Sequence, residues 1–272
     1  MHNIFEILTT YPLLKYQILV AILASVAAGI IGTFVVVKRI SMISGGIAHT
    51  VLGGMGLAAF FGLAPMLGAV VTAVLAAIMI GLVSLKAQEH EDRLISAMWS
   101  VGMAVGVVFI HLTPGYATNL LSYLFGNILL VSQNDVLLLL ALDVVIILSV
   151  TALFKAFTAI CFDEELAKLK GLPVELLYLI LLILTALCVV MLVRVVGIVM
   201  VIALLTLPAA IAGQWMQSLR SMMTCAVLCA LFFTLTGLAI AYPTNLPAGA
   251  TIVLLAGGTF LISTTVRHLR SK

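Results

Sequence analysis

Residues 174–213 read VELLYLILLILTALCVVMLVRVVGIVMVIALLTLPAAIAG, and Glu175 and Arg194 are the only charged residues among them. As one helix this run would be roughly 60 Å long, about twice the thickness of the hydrocarbon core of a bilayer. Arg194 and Gly197 interrupt the run near its middle. The run therefore predicts two membrane-spanning helices, or a single long kinked element if the interruption does not separate them.

The rest of the chain has the same apolar character. Hydrophobic residues make up 64% of the 272 residues and charged residues only 8%, against about 25% in a typical soluble domain. A soluble fold could not cover so much apolar surface with polar side chains. We predict an all-α membrane protein, a polytopic bundle of eight or nine transmembrane helices that forms one domain over residues 1–272. The predicted spans lie near residues 17–37, 43–62, 64–85, 94–113, 136–157, 174–193, 196–213, 222–242 and 249–266.

Basic residues divide unequally between the two sets of connections. One set contains only Lys15 and Arg194, and we expect Arg194 to reach the lipid headgroups. Cytoplasmic loops are enriched in Lys and Arg, so the other set is predicted to be cytoplasmic, together with the C-terminus. Charges in such short loops do not indicate nucleic-acid binding. The set of connections predicted to be cytoplasmic contains Lys38, Arg39, Lys86, Arg93, Lys155, Lys168, Lys170, Arg220, Arg267, Arg270 and Lys272.

Residues 156–173 form the longest polar connection on the predicted cytoplasmic side. Asp163 is a typical N-cap residue and Gly171 a typical helix stop, so the sequence predicts a short helix between them. Glu164 and Lys168 have the i, i+4 spacing of an ion pair. Such a helix has no core of its own. It either lies on the membrane, fills a gap, docks on a partner or is a solvated linker, and Leu166 and Leu169 give it an apolar edge.

Two ionisable residues lie inside predicted spans. His49 is about 10 Å deep in the second span. Buried ionisable groups in membranes are costly and usually face a bundle interior or a pathway, and imidazole is a preferred ligand of first-row transition metals. The alternative is a hydrogen-bonded packing histidine. Asp143, in the interior of the fifth span, is a candidate metal ligand, counter-ion or proton carrier, or faces a crevice near the outer rim.

Glycines surround His49, and they narrow the helix in a way that suits a substrate path. A proline inside the seventh span is expected to kink it. The candidate pathway residues are Ser44, Gly45, Gly46, Gly53 and Pro208.

Several catalytic motifs are missing from the sequence. It contains no GxxxxGK[ST] loop for ATP, no HExxH, no GxSxG and no zinc-finger spacing of Cys and His. We therefore do not predict an enzyme, and any ATP hydrolysis is expected on a separate chain. A secondary transporter without an ATPase partner, with Asp143 and His49 as a proton relay, is the alternative function.

Four ordered stretches between about Arg39 and Ala250 carry a likeness to a known family. They resemble the membrane permease subunit of bacterial ABC importers for zinc and manganese, the metal-ion family often called ABC-3. The stretches are residues 39–42 (RISM) before the His49 segment, 121–129 (LSYLFGNIL), 162–167 (FDEELA) with Gly171, and 196–210 (VGIVMVIALLTLPAA).

This resemblance implies a homodimer in the bacterial inner (cytoplasmic) membrane, surrounded by lipid and without nucleic acid. It also implies a cytoplasmic ABC ATPase, an extracytoplasmic metal-binding protein, zinc or manganese as the transported ion, and no permanently bound cofactor. His49 matches a family histidine implicated in metal passage. The helix in the 156–173 loop would couple to the ATPase through Asp163, Glu164, Glu165, Leu166, Ala167 and Gly171.

The sequence departs from the family pattern next to His49. The family has an aspartate four residues before the histidine, where this chain has Gly45, and a nearby family proline is replaced by Gly53. A carboxylate and an imidazole at that spacing would form a two-ligand metal site on one helix face, and here only the imidazole remains. Asp143 or a second protomer could supply a replacement ligand. Loss of the carboxylate favours zinc over manganese, because manganese prefers oxygen ligands.

Overall fold

The computed structural model describes residues 12–86, 91–113, 126 and 131–270, and within them it contains helices and no β-strand. Eight helices are long and apolar enough to cross a membrane, which confirms the predicted all-α membrane fold. The helices are α1 (Pro12–Lys38), α2 (Ser41–Phe60), α3 (Pro65–Lys86), α4 (Glu91–Leu112), α5 (Gln133–Phe162), α6 (Glu164–Leu169), α7 (Val174–Val196), α8 (Val201–Trp215), α9 (Leu219–Thr244) and α10 (Ala248–Arg270).

The long apolar run divides where the sequence predicted. Helix α7 ends at Val196, and Gly197 has a φ of +81°, a left-handed conformation that glycine adopts without a steric penalty. One 3-10 turn, Ile198–Met200, leads into α8, which is only 15 residues long and contains Pro208. Within the described residues, the bundle therefore has eight full-length helices and one short apolar helix.

Most of the family-like stretch 121–129 lies outside the described residues. Gly126 is the exception, with a φ of +72°. A Cβ atom at Gly126 would lie 2.5 Å from the backbone nitrogen of Gly197, so the two glycine backbones are in close contact. The chain before α5 therefore reaches the break between α7 and α8.

Two ion pairs mark the two ends of the bundle. At one end, Arg194 near the end of α7 donates two hydrogen bonds to Asp135 in the first turn of α5, at 3.1 and 2.6 Å. Arg194 was expected to reach the headgroups alone; instead the carboxylate opposite neutralises it. At the other end, Lys38 closes α1 against the last turn of α5 and pairs with Glu164.

Helix α8 has only 15 residues, but it extends from one end of the bundle toward the other. It begins beside the Arg194 end of α7, and its Trp215 donates a hydrogen bond to Ser263 near the end of α10, at 2.8 Å. Arg220, at the start of α9, lies over the ring of Phe154 in the Lys38 half of α5. Lys38, Arg220 and the basic end of α10 therefore lie toward one end of the bundle and Arg194 toward the other. This arrangement agrees with the division of charges in the sequence.

Helix α2 lies in the middle of the bundle. In the most apolar 18-residue stretch of α2, 83% of the residues are buried. The same share is 17% in α4, which faces outward. A Cβ atom at Gly53 would lie 2.9 Å from the carbonyl oxygen of Gly102, and one at Gly56 would lie 2.6 Å from that of Gly106. Small residues let membrane helices approach this closely. The glycines therefore let α4 pack closely on one face of α2.

Candidate functional site

His49 is enclosed between α2 and α4. Its side chain is only 6% exposed. The imidazole stacks on the indole ring of Trp99, with 4.0 Å between ring centroids and 16° between planes. Its Nδ1 atom lies 3.0 Å from the sulfur of Met103. The environment of His49 is therefore an aromatic ring and a thioether, both for a pathway residue and for a packing histidine.

The sequence of the two helices explains this arrangement. Helices α2 and α4 run in the same direction, and Gly53 meets Gly102 one turn beyond His49. The close glycine contact draws the two backbones together there. His49, Trp99 and Met103 pack together beside that contact, and Trp99 and Met103 share a face of α4 because they are four residues apart.

Gly45 lies four residues before His49, at the position where the resemblance to the family implied a carboxylate. A Cβ atom at Gly45 would lie 2.6 Å from Cδ1 of Ile202 and 3.2 Å from Cζ3 of Trp99. The space that an aspartate would occupy is thus filled by a side chain from α8 and another from α4. His49 therefore contacts an indole and a thioether, and Gly45 packs against an aliphatic side chain and the same indole.

Asp143 belongs to a different part of the bundle. Its carboxylate is 3% exposed, and its Oδ1 atom has no hydrogen-bond partner in the described part of the chain. Helix α5 packs chiefly against α1 and α7, whereas His49 faces α4. The two predicted metal ligands are therefore not brought together. No cluster of three or more His, Cys, Asp or Glu residues that could hold a metal ion occurs in the part of the chain that the structure describes.

The other predicted pathway residues are buried in helix contacts. Ser44 donates a hydrogen bond to the carbonyl oxygen of Ser41 at 2.7 Å. A Cβ atom at Gly46 would lie 2.8 Å from a side-chain carbon of Ile95. Pro208 is buried within α8. In this arrangement these positions are closely packed, so an ion would pass them only after the helices move apart.

The short helix α6 forms as the sequence predicted. Asp163 caps it, since Oδ1 accepts a hydrogen bond from the backbone nitrogen of Leu166 at 2.9 Å. Gly171 follows the helix with a φ of +76°. Ala167 is buried against the bundle, while Glu165 is exposed. The apolar side chains that α6 and its flank expose are Phe162, Leu166 and Leu169.

The i, i+4 spacing suggested an ion pair between Glu164 and Lys168. Glu164 instead pairs with Lys38. The Lys38 ammonium also donates to the carbonyl oxygen of Ile160 at 3.0 Å. Lys38 is only 16% exposed, and a largely buried ammonium is costly without a partner. Lys168 is exposed and stays hydrated, so the carboxylate stabilises Lys38 instead. This ion pair fastens α6 to the end of α1.

In the part of the chain that the structure describes, eight long apolar helices and one short one form the bundle of a polytopic membrane protein. The chain belongs to the ABC 3 transport family, whose sequence pattern matches residues 10–267. This membership confirms the resemblance seen in the sequence.

Individual relatives agree with the family assignment. The chain is 44% identical to a Synechocystis membrane protein, slr2045, over 95% of this chain and 92% of the relative. It is 30% identical to the manganese transport system membrane protein MntC of Halalkalibacterium halodurans, over 95% and 89%. The solved structure of PsaBC from Streptococcus pneumoniae in complex with Fab matches with a TM-score of 0.86 and 33% identity, over 94% and 92%. The chain is therefore a membrane permease of a metal-transporting ABC family.

Proposed function

We propose that two copies of this chain form the translocation pathway of an ATP-driven importer for a divalent transition metal ion. The observation that carries the proposal is the position of His49 in a chain of this family. It lies eight residues from Ser41 and eleven from Phe60, which is about 12 and 16 Å from the two ends of α2. An imidazole at this depth is costly unless it serves a pathway or a partner.

Zinc is the favoured ion and manganese the next. Zinc is bound by imidazole and sulfur, whereas manganese prefers carboxylate and carbonyl oxygens. The position of the family carboxylate, Gly45, is occupied by packing against Ile202 and Trp99. Manganese stays second because MntC, at 30% identity, is named a manganese transport protein. The metal is a substrate, and no permanently bound cofactor is required.

The ATPase would be a separate cytoplasmic chain that docks on the 156–173 loop. Placing the Lys38 end of the bundle in the cytoplasm follows the positive-inside rule, and it puts α6 and the C-terminus on that side. Exposed Phe162, Leu166 and Leu169 give α6 an apolar surface that a partner would cover. Asp163 and Gly171 set the ends of that surface. An extracytoplasmic metal-binding protein would then deliver the ion at the Arg194 end.

A secondary transporter is the competing function. Asp143 is buried with an unpartnered oxygen, which is suited to a proton carrier. However, α5 packs against α1 and α7, away from the His49 contact with α4, so the two residues do not form a relay in this arrangement.

The test is ion uptake into proteoliposomes that contain this chain, its ATPase and its binding protein. The uptake of zinc is compared with the uptake of manganese in proteoliposomes in which the permease has one defined orientation. Each ion is tested with ATP and with a non-hydrolysable ATP analogue. ATP-dependent accumulation, with zinc faster than manganese, is the expected result. Uptake that needs only a proton gradient, without the ATPase, would replace the importer with the secondary transporter.

A further inference from the structure

Met103 lies opposite His49 where a second ligand for the ion would stand. Its sulfur is 3.0 Å from the imidazole Nδ1, and the two side chains come from facing helices, α4 and α2. Met103 is half-buried, whereas His49 is almost fully enclosed. A thioether sulfur is a soft donor with lone pairs for a cation, and methionine side chains are flexible enough to adjust to one.

The distance between the two donor atoms is close to what a shared ion needs. With roughly 2.1 Å from zinc to nitrogen, the 2.3 Å of a zinc–thiolate bond as a lower value for the thioether, and a tetrahedral angle, the nitrogen and sulfur would be at least about 3.6 Å apart. The observed contact is shorter by at least about 0.6 Å, and a small rotation of the Met103 side chain supplies that opening. The 3.0 Å contact fits an Nδ1–H group that donates to the sulfur; when the imidazole proton moves to Nε2, Nδ1 and the sulfur both have lone pairs available to an ion.

Apolar side chains lie beside the imidazole and beside Gly45. Trp99 covers one face of the imidazole, and Ile202 occupies the space beside Gly45. The donor pair that faces the ion is therefore one nitrogen and one sulfur from each chain. Two ligands per chain bind weakly enough for the ion to leave again, as conduction requires.

We infer that Met103 is a second ligand for the transported ion and makes the pathway selective for soft cations, zinc and cadmium, over manganese. This inference rests on the proposed function of His49 as a point of metal passage. It assigns to Met103 a role in selectivity that packing alone would not require.

The test uses cadmium as the probe, because it is soft and its X-ray absorption edge reports its ligand atoms. The full chain is purified with its ATPase in lipid nanodiscs, with its four cysteines replaced by alanine to remove thiolate ligands. Met103→Leu is the test variant, since leucine is close to methionine in volume and is among the best tolerated replacements in a packed site. Met98→Leu is the control, because Met98 is on the same helix but lines a separate cavity between α2, α3 and α4.

Cadmium bound to the parent protein is expected to have both a nitrogen and a sulfur neighbour, with the sulfur lost in Met103→Leu and kept in Met98→Leu. In proteoliposomes, Met103→Leu should lower the ratio of zinc to manganese uptake by about tenfold. A sulfur neighbour that persists in Met103→Leu, or parent protein that binds no cadmium, overturns the inference. If His49→Ala abolishes uptake while Met103→Leu leaves the ratio unchanged, only the role of Met103 is wrong. If His49→Ala also changes nothing, the proposed role of His49 is wrong as well.

Discussion

Lys38, at the end of α1, forms an ion pair with Glu164 in the first turn of α6. The pair joins the helix that is proposed to meet the ATPase to a helix that packs along α5 and α9. Movement of α6 would therefore be passed to α1 directly, and not only through the chain connections to α5 and α7. This relationship leads to the first prediction.

Lys38→Met should uncouple ATP hydrolysis from uptake. Methionine keeps the length of the side chain but removes the bonds to Glu164 and to the carbonyl oxygen of Ile160. We expect the ATPase to remain bound and active while ion uptake per ATP falls several-fold. Uptake and phosphate release are measured in the same proteoliposomes. Lys168→Met, which alters an exposed lysine of α6, is the control, and equal coupling in the two variants would contradict the prediction.

Leu169→Ala should weaken ATPase binding. Leu169 is 84% exposed on α6, so its truncation removes apolar contact surface without opening a cavity in the bundle. The loss is expected to be about 1–2 kcal/mol, or roughly a five- to thirtyfold higher Kd for the ATPase. Titration of the ATPase onto immobilised permease measures it. Lys170→Ala, at the neighbouring exposed position, should leave the Kd unchanged; a similar loss in both variants would show that Leu169 has no special contact.

Gly56→Ala should destabilise the bundle. The added methyl group would lie 2.6 Å from the carbonyl oxygen of Gly106, and backbone cannot move aside cheaply. We expect a loss of about 1–3 kcal/mol in the free energy of unfolding, measured by thermal unfolding in detergent. Gly257→Ala is the matched control, because nothing lies within 4 Å of a Cβ atom there and alanine favours a helix. An unchanged melting temperature in Gly56→Ala would contradict the close α2–α4 contact.

Restoring the family carboxylate requires two changes. Gly45→Asp alone would place a side chain against Cδ1 of Ile202, at 2.6 Å from Cβ, and we expect reduced stability and slow uptake. Adding Ile202→Val removes Cδ1, the atom closest to the new Cβ, and leaves Cζ3 of Trp99 at 3.2 Å as the nearest neighbour one turn before His49. The double variant should transport manganese faster relative to zinc than the parent protein does, because it adds an oxygen ligand. Ile202→Val alone is the control, and an unchanged ratio in the double variant would count against a metal pathway at this position.

Arg194→Lys should destabilise the far end of the bundle even though it keeps the charge. Arg194 holds both oxygens of Asp135, and a lysine cannot make two parallel bonds. The partly buried pair is expected to contribute about 1.5–3 kcal/mol, of which lysine would retain a part. Chemical unfolding of the detergent-solubilised protein measures the difference. Adding Asp135→Asn to Arg194→Lys should lower the free energy of unfolding little more than Arg194→Lys alone does. Fully additive losses would mean that the two residues do not act as a pair.

Local sequence predicts much of this fold. The run 174–213, the break at Gly197 and the caps Asp163 and Gly171 all depend on residues near one another in the chain, and the structure has each of them. The asymmetry of basic residues also agrees with the two ends of the bundle. These features follow from helix length and backbone conformation, which neighbouring residues control.

The contacts between helices could not be predicted in this way. Lys38 and Glu164 are 126 positions apart, and His49 and Met103 are 54 apart. No periodicity within one helix indicates which face of another helix it meets, and the methionines of the sequence looked like ordinary apolar residues. The glycines Gly102 and Gly106 were the only signal that α4 approaches another helix closely.

The most direct test of the central claim is the rate of ATP-dependent zinc uptake by His49→Ala in proteoliposomes with the ATPase and the binding protein. His111→Ala, which alters an exposed histidine in the last turn of α4, is the matched control. We predict a loss of at least about tenfold in His49→Ala and near-normal uptake in His111→Ala. Uptake by His49→Ala at the rate of the parent protein would contradict a metal pathway between α2 and α4.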